Sequence, residues 1–153
     1  MKFQLAVAGV LVVWTLGMVQ GAQEKAASEK AASGTSTWAG VYTEAQSELG
    51  LKSYTKNCSE CHGVDLGGDG FAPSLKGPEF MNNWNGLSVG ELHERIKSSM
   101  PPTEPNAVTP KEKADIVAYL LKENGFPAGT TELPSTPEGL KAIKFEATKP
   151  GRR

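Results

Sequence analysis

Cys58, Cys61 and His62 place two thiols and an imidazole within five residues, in the run Cys58-Ser59-Glu60-Cys61-His62. On a helix they fall at i, i+3 and i+4, so all three side chains crowd one face. C-x-x-C-H is the attachment sequence for a covalently bound c-type haem: the thiols form thioethers with the two vinyl groups along one edge of the macrocycle, and the imidazole ligates the iron from below. Redox chemistry is therefore the first expectation. Three other uses of such a cysteine pair stand beside it. A thioredoxin-like redox pair calls for a strand before the motif and a βαβ context, and neither is found, whereas a structural disulfide pair would need only that haem be missing. A zinc site would need Cys58, Cys61, His62 and the second histidine, His93, as its four ligands. Cys61 and His62 are sequence neighbours and no second ligand pair follows, which is poor tetrahedral geometry.

The segments before this motif bear on where the chain is expected to work. Met1-Lys2, an apolar run from Leu5 to Met18, and small residues at Gly21 and Ala22 have the pattern of a secretory signal peptide over residues 1–21. The alternative is a short uncleaved anchor, although the run is brief for a span of about 20 residues. Export agrees with the motif, because c-type haem is attached outside the bacterial inner membrane. Residues 22–37 contain Glu24-Lys25-Ala26-Ala27-Ser28 repeated as Glu29-Lys30-Ala31-Ala32-Ser33, and read as a solvated linker with no large apolar side chain to bury. The whole chain carries 17 acidic and 16 basic residues, net −1. That balance excludes a nucleic-acid partner, which requires clustered Lys and Arg. Only one small domain is left after these segments, so a buried macrocycle would add materially to its core.

Three helices are expected to hold the motif. The first is capped by Thr43 with Gln46 at N3, runs towards Cys58, and is expected to turn Ala45, Leu49 and Tyr54 inward. Gly50 interrupts it, at a cost of up to about 1 kcal/mol, which points to another backbone passing close by. The second starts at Ser88 with Glu91 completing a capping box, and buries Val89, Leu92 and Ile96; His93 falls off that stripe and is expected on the surface. The third has Thr109 as cap, Pro110 at N1 and Glu112 at N3, then Ala114, Ile116, Val117, Tyr119, Leu120 and Leu121, and stops at Gly125 and Pro127. No alternating strand pattern of useful length occurs, and Gly and Pro gather between the helices. The fold class is all-α and loop-rich.

From Trp38 to about Pro134 the chain resembles a class I cytochrome c, and is similar in particular to the small monohaem subunits and domains that accompany periplasmic quinoprotein dehydrogenases. The resemblance rests on Gly50 and Tyr54, eight and four residues before Cys58, on Ile116 and Tyr119 of the third helix, and on Ala72-Pro73-Ser74-Leu75. It implies that the first helix crosses the last at Gly50, that three main helices wrap one covalent haem, and that the Pro73 carbonyl accepts a hydrogen bond from the His62 imidazole. It also implies a supporting role for Trp84 at a haem propionate, although that side chain can equally be core filler. Met100, at the head of Met100-Pro101-Pro102, takes the place of the family's distal iron ligand, with Met81 as the other candidate. A thioether favours ferrous iron, so His62 and Met100 together would raise the potential.

These observations lead to a set of expectations. The organisation is a signal or anchor over residues 1–21, a linker over 22–37, a cytochrome c domain over 38–126, and an extended tail over 127–153 that packs on the domain through Leu133, Leu140, Ile143 and Phe145. The function is that of a periplasmic monohaem one-electron carrier, not an enzyme. It would work between a donor such as a quinoprotein dehydrogenase and a terminal oxidase or reductase, and would touch the membrane only if the signal segment is retained. The competing function is a haem enzyme or sensor with a labile sixth ligand, active as a peroxidase or in gas binding. Charges near the motif are mixed, with Lys52, Lys56 and Lys76 against Glu60, Asp65 and Asp69, and select no partner by sign.

Overall fold

The computed structural model describes residues 34–151. The signal segment and most of the linker, residues 1–33, lie outside the described residues. Six α-helices, two turns of 3-10 helix and two two-residue strands make up the described part. In chain order these are β1 (Thr35–Ser36), α1 (Glu44–Asn57), α2 (Ser59–His62), α3 (Gly77–Trp84), α4 (Val89–Ser99), α5 (Pro110–Glu123), α6 (Pro137–Lys141) and β2 (Ile143–Lys144). The 3-10 turns are Thr37–Ala39 and Pro105–Ala107. This is the all-α, loop-rich fold class expected from the sequence.

The long helices begin where their caps predict. The Thr43 side chain accepts from the Gln46 N–H, and Ser88 and Thr109 form full capping boxes with Glu91 and Glu112. Gly125, at φ 81, follows the end of α5 in the left-handed conformation that favours glycine.

The crossing of α1 over α5 sets the rest. A Cβ placed on Gly50 would lie 1.9 Å from the Asp115 carbonyl oxygen and 2.9 Å from the Tyr119 Cβ, so only glycine allows this approach. The Tyr54 and Tyr119 rings pack beside the crossing with centroids 5.3 Å apart. Because contact is made at Gly50, the buried face of α1 is the row Gln46, Gly50, Tyr54, with Ser47 beside it. Ala45 and Leu49, expected to face inward, instead face solvent, and Leu49 is 47% exposed. Close approach of two backbones, rather than apolar periodicity, decides which face is covered. The third helix, α5, buries the whole expected stripe, Ala114 to Leu121.

His93 also departs from expectation. It is buried, not on the surface, and its Nε2 is 3.0 Å from the Pro110 carbonyl oxygen. A polar ring is accommodated there because the first turn of α5 offers it an acceptor. Helix α3 was not anticipated: it starts with a glycine and a proline and spans only eight residues, too few to show a period.

The chain after α5 contains a helix, α6, as well as extended segments. Leu133, Leu140, Ile143 and Phe145 are buried, and the Phe145 ring packs edge-on against Phe80 and Phe126. Gln46, itself buried, fixes this stretch by accepting from the Leu133 N–H at 2.7 Å and donating to the Leu133 carbonyl at 2.9 Å. Strand β2 pairs in parallel with β1 in the register Thr35–Ile143 and Ser36–Lys144. Thr37 is buried, so the last residues of the expected 22–37 linker are part of the packed structure rather than a solvated spacer. Two-residue strands leave no alternation to read.

Candidate haem site

Helix α1 runs into the motif through Cys58, whose N–H bonds to the Tyr54 carbonyl at 2.8 Å. The chain then restarts as the single turn α2, with the His62 N–H on the Cys58 carbonyl at 3.0 Å. Cys58, Cys61 and His62 thus come together on one turn, as their spacing predicts, and both cysteines are free thiols. The Tyr54 hydroxyl donates to the Gly63 carbonyl at 2.6 Å, which ties the turn back to α1. The α1–α5 crossing therefore positions the motif directly.

The imidazole is 8% exposed, with Nδ1 2.9 Å from the Pro73 carbonyl oxygen. A carbonyl can only accept, so Nδ1 carries a proton, which leaves Nε2 as the nitrogen that can offer a lone pair to a metal. Among the described residues Nε2 has no protein partner. This is the donor arrangement an iron needs: an imidazole oriented and made more basic through its other nitrogen. The Pro73 loop is itself held. Leu75 N–H and the Ser74 hydroxyl both bond to the Leu66 carbonyl, at 2.9 and 3.0 Å, and Gly68 N–H bonds to the His62 carbonyl at 2.8 Å. Asn124 clips the end of the loop, donating to Leu75 and accepting from Gly77.

The cysteine environment separates the uses of the pair. Burial raises the Cys58 thiol to about 11, with the Lys113 ammonium opposing that shift. A redox-exchanging pair requires the opposite, a thiol lowered towards neutral pH. Among the described residues no three His, Cys, Asp or Glu side chains converge to hold a metal ion. Two thiols and an imidazole with a free Nε2 on one turn fit covalent haem.

The remaining candidates sit further along the chain. Met100 caps the C-terminus of α4 and is half-buried, followed by a cis bond to Pro101. Met81, in α3, is packed against the core cluster. Trp84 ends α3, half-buried with its ring 6.4 Å from that of Phe80, and its indole N–H has no acceptor among the described residues.

Lys113 was missed by sequence reasoning. It is 2% exposed, and its ammonium donates to the Lys97 carbonyl at 3.1 Å and the Pro105 carbonyl at 2.6 Å. Burial lowers its pKa, and Lys97 adds to that. A signal for it did exist: Lys113 lies three and four residues before Ile116 and Val117, on the apolar stripe of α5.

Comparisons with known proteins agree with this geometry. Residues 45–120 match the family described as cytochrome C oxidase, cbb3-type, subunit III. Among curated proteins, the chain is similar to the cbb3-type cytochrome c oxidase subunit CcoP of Rubrivivax gelatinosus, 26% identical over 87 residues, which cover 52% of this chain and 26% of that protein. The chain thus spans about a quarter of the length of that relative. No solved structure matches it. Among the described residues no helix is long and apolar enough to cross a membrane.

Proposed function

Because the chain carries a c-type cytochrome domain with covalent haem c as its cofactor, we propose that it is a monohaem one-electron carrier that works in the periplasm and passes electrons towards a terminal oxidase. The observation that carries this reading is the His62 imidazole, proton fixed on Nδ1 by the Pro73 carbonyl, beside the Cys58 and Cys61 thiols on one turn. When bound, haem c supplies an iron that takes up and gives back one electron. Cys58 and Cys61 would hold the macrocycle through thioethers and His62 would be its proximal ligand. Met100, at the head of a loop stiffened by two prolines, would be the distal ligand. His62 and Met100 together would favour the ferrous state and would leave the iron no position for substrate. The carrier reading needs that closure; a peroxidase or gas-binding protein needs the reverse.

The similarity to an oxidase subunit favours an oxidase as acceptor. A quinoprotein dehydrogenase is the donor we propose on the resemblance of the haem domain. Trp84, with its free indole N–H, is the residue we propose for support of a propionate.

The test is expression with a haem-attachment system, followed by denaturing mass measurement and a redox titration. The expected result is a mass increased by one haem, lost when Cys58 and Cys61 are both replaced by Ala, and a reversible one-electron Nernst curve. A chain that matures without haem, or whose haem does not cycle reversibly, overturns the reading.

A further inference from the structure

Lys113 is an ammonium buried on a helix face that otherwise carries Ile116, Val117 and Leu120. Among the described residues no carboxylate lies within ion-pair distance of it, so charge pairing does not explain its place. Its partners do. The Lys97 carbonyl belongs to the last turn of α4, and its i+4 residue is Pro101, which has no N–H to give. The Pro105 carbonyl lies on the far side of the same loop. The ammonium therefore bonds to one carbonyl before the segment 98–104 and one after it, and this segment contains Met100. It also sits at the negative end of the α4 dipole, which favours a cation there. The two prolines stiffen the loop but remove donors from it, and Lys113 supplies the missing ones.

We propose that Lys113 is a positioning residue for the distal iron ligand: its ammonium pins both ends of the Met100 loop and so keeps the Met100 thioether on the iron. This rests on the reading of Met100 as distal ligand. The charge of Lys113 is also felt at Cys58, so its removal would lower the potential through space even if the loop stayed closed. Ligand loss and through-space charge are separable, because only ligand loss opens the sixth position.

The experiment compares the haem-loaded wild type with Lys113→Met, Lys113→Gln and Met100→Ala. Its readouts are carbon monoxide uptake by the reduced protein, the weak far-red band of thioether-ligated ferric haem, the reduction potential and the melting temperature. Lys113→Met should raise the carbon monoxide-binding fraction at least tenfold over wild type and remove most of the far-red band. Lys113→Gln, which keeps one amide donor, should fall between the two, and it carries the test if Lys113→Met yields no holoprotein. A Lys variant that melts lower, or has a lower potential, while refusing carbon monoxide and keeping the far-red band overturns the proposal and leaves Lys113 as a structural group. If Met100→Ala itself keeps the band and refuses carbon monoxide, Met100 is not the ligand, and both readings fall. If Met100→Ala opens the iron and Lys113→Met does not, only the positioning role fails.

Discussion

Gly50→Ala sets helix propensity against helix packing at a point where the two have opposite signs. On propensity alone the change stabilises α1 by about 1 kcal/mol. The added Cβ would lie 1.9 Å from the Asp115 carbonyl oxygen, 2.6 Å from its carbonyl carbon and 2.9 Å from the Tyr119 Cβ. A normal contact there is about 3.4 Å or more. The obstacle is backbone on a helix whose inward face is fully buried, so no side chain can swing away, and α1 must move off α5 by more than 1 Å. Overpacking of this kind costs about 1–3 kcal/mol. Separating the helices also disturbs the Tyr54–Tyr119 pair, worth about 0.5–1.5 kcal/mol beyond its area. After the propensity gain is subtracted, a net loss of about 0.5–3.5 kcal/mol remains, or roughly 2–14 °C in melting temperature at about 4 °C per kcal/mol. Thermal unfolding of the haem-loaded protein followed by circular dichroism measures it. A variant as stable as wild type, or more stable, would refute the claim that the α1–α5 crossing is set by backbone contact at Gly50.

Other changes probe the remaining supports. Tyr54→Phe removes the hydroxyl that holds the Gly63 carbonyl at 2.6 Å, and should cost about 1–2 kcal/mol in denaturant unfolding without altering the visible spectrum. Gln46→Ala leaves both Leu133 backbone groups without their partner, and should cost about 2–4 kcal/mol and speed protease cutting between residues 127 and 136. Acid should destabilise the protein through the capping carboxylates. Glu91 and Glu112 are held below the usual range by accepting from the backbone N–H and hydroxyl of Ser88 and Thr109. Since their folded pKa values are depressed, their stabilisation is present above the unfolded value of about 4.3 and is lost as pH falls below it. Melting temperature should hold from neutral down to about pH 5 and drop as the pH is lowered further, and that acid-side drop should be shallower in a Glu91→Gln, Glu112→Gln double variant.

What the sequence reveals here is local chemistry. The caps at Thr43, Ser88 and Thr109 are legible because one side chain and one residue three positions on carry the whole signal. The motif Cys58 to His62 is legible for the same reason. The buried faces of α1 and α4 are less so, because they depend on what lies opposite: Leu49 is exposed since the crossing centres on Gly50, and His93 is buried since α5 brings it the Pro110 carbonyl. Lys113 was passed over because lysine is rarely buried, and what permits it, two carbonyls left by a proline loop, is assembled from two segments distant in sequence. The strand pair between Thr35–Ser36 and Ile143–Lys144 joins residues more than a hundred positions apart and gives no short-range pattern.

The most direct test of the central claim is the visible spectrum of the reduced, haem-loaded protein before and after carbon monoxide is added. A closed electron carrier, with His62 and Met100 on the iron, predicts a sharp low-spin spectrum that carbon monoxide leaves unchanged. Conversion to a carbonyl complex would contradict it, and would point instead to gas binding or peroxidatic chemistry at an open sixth position.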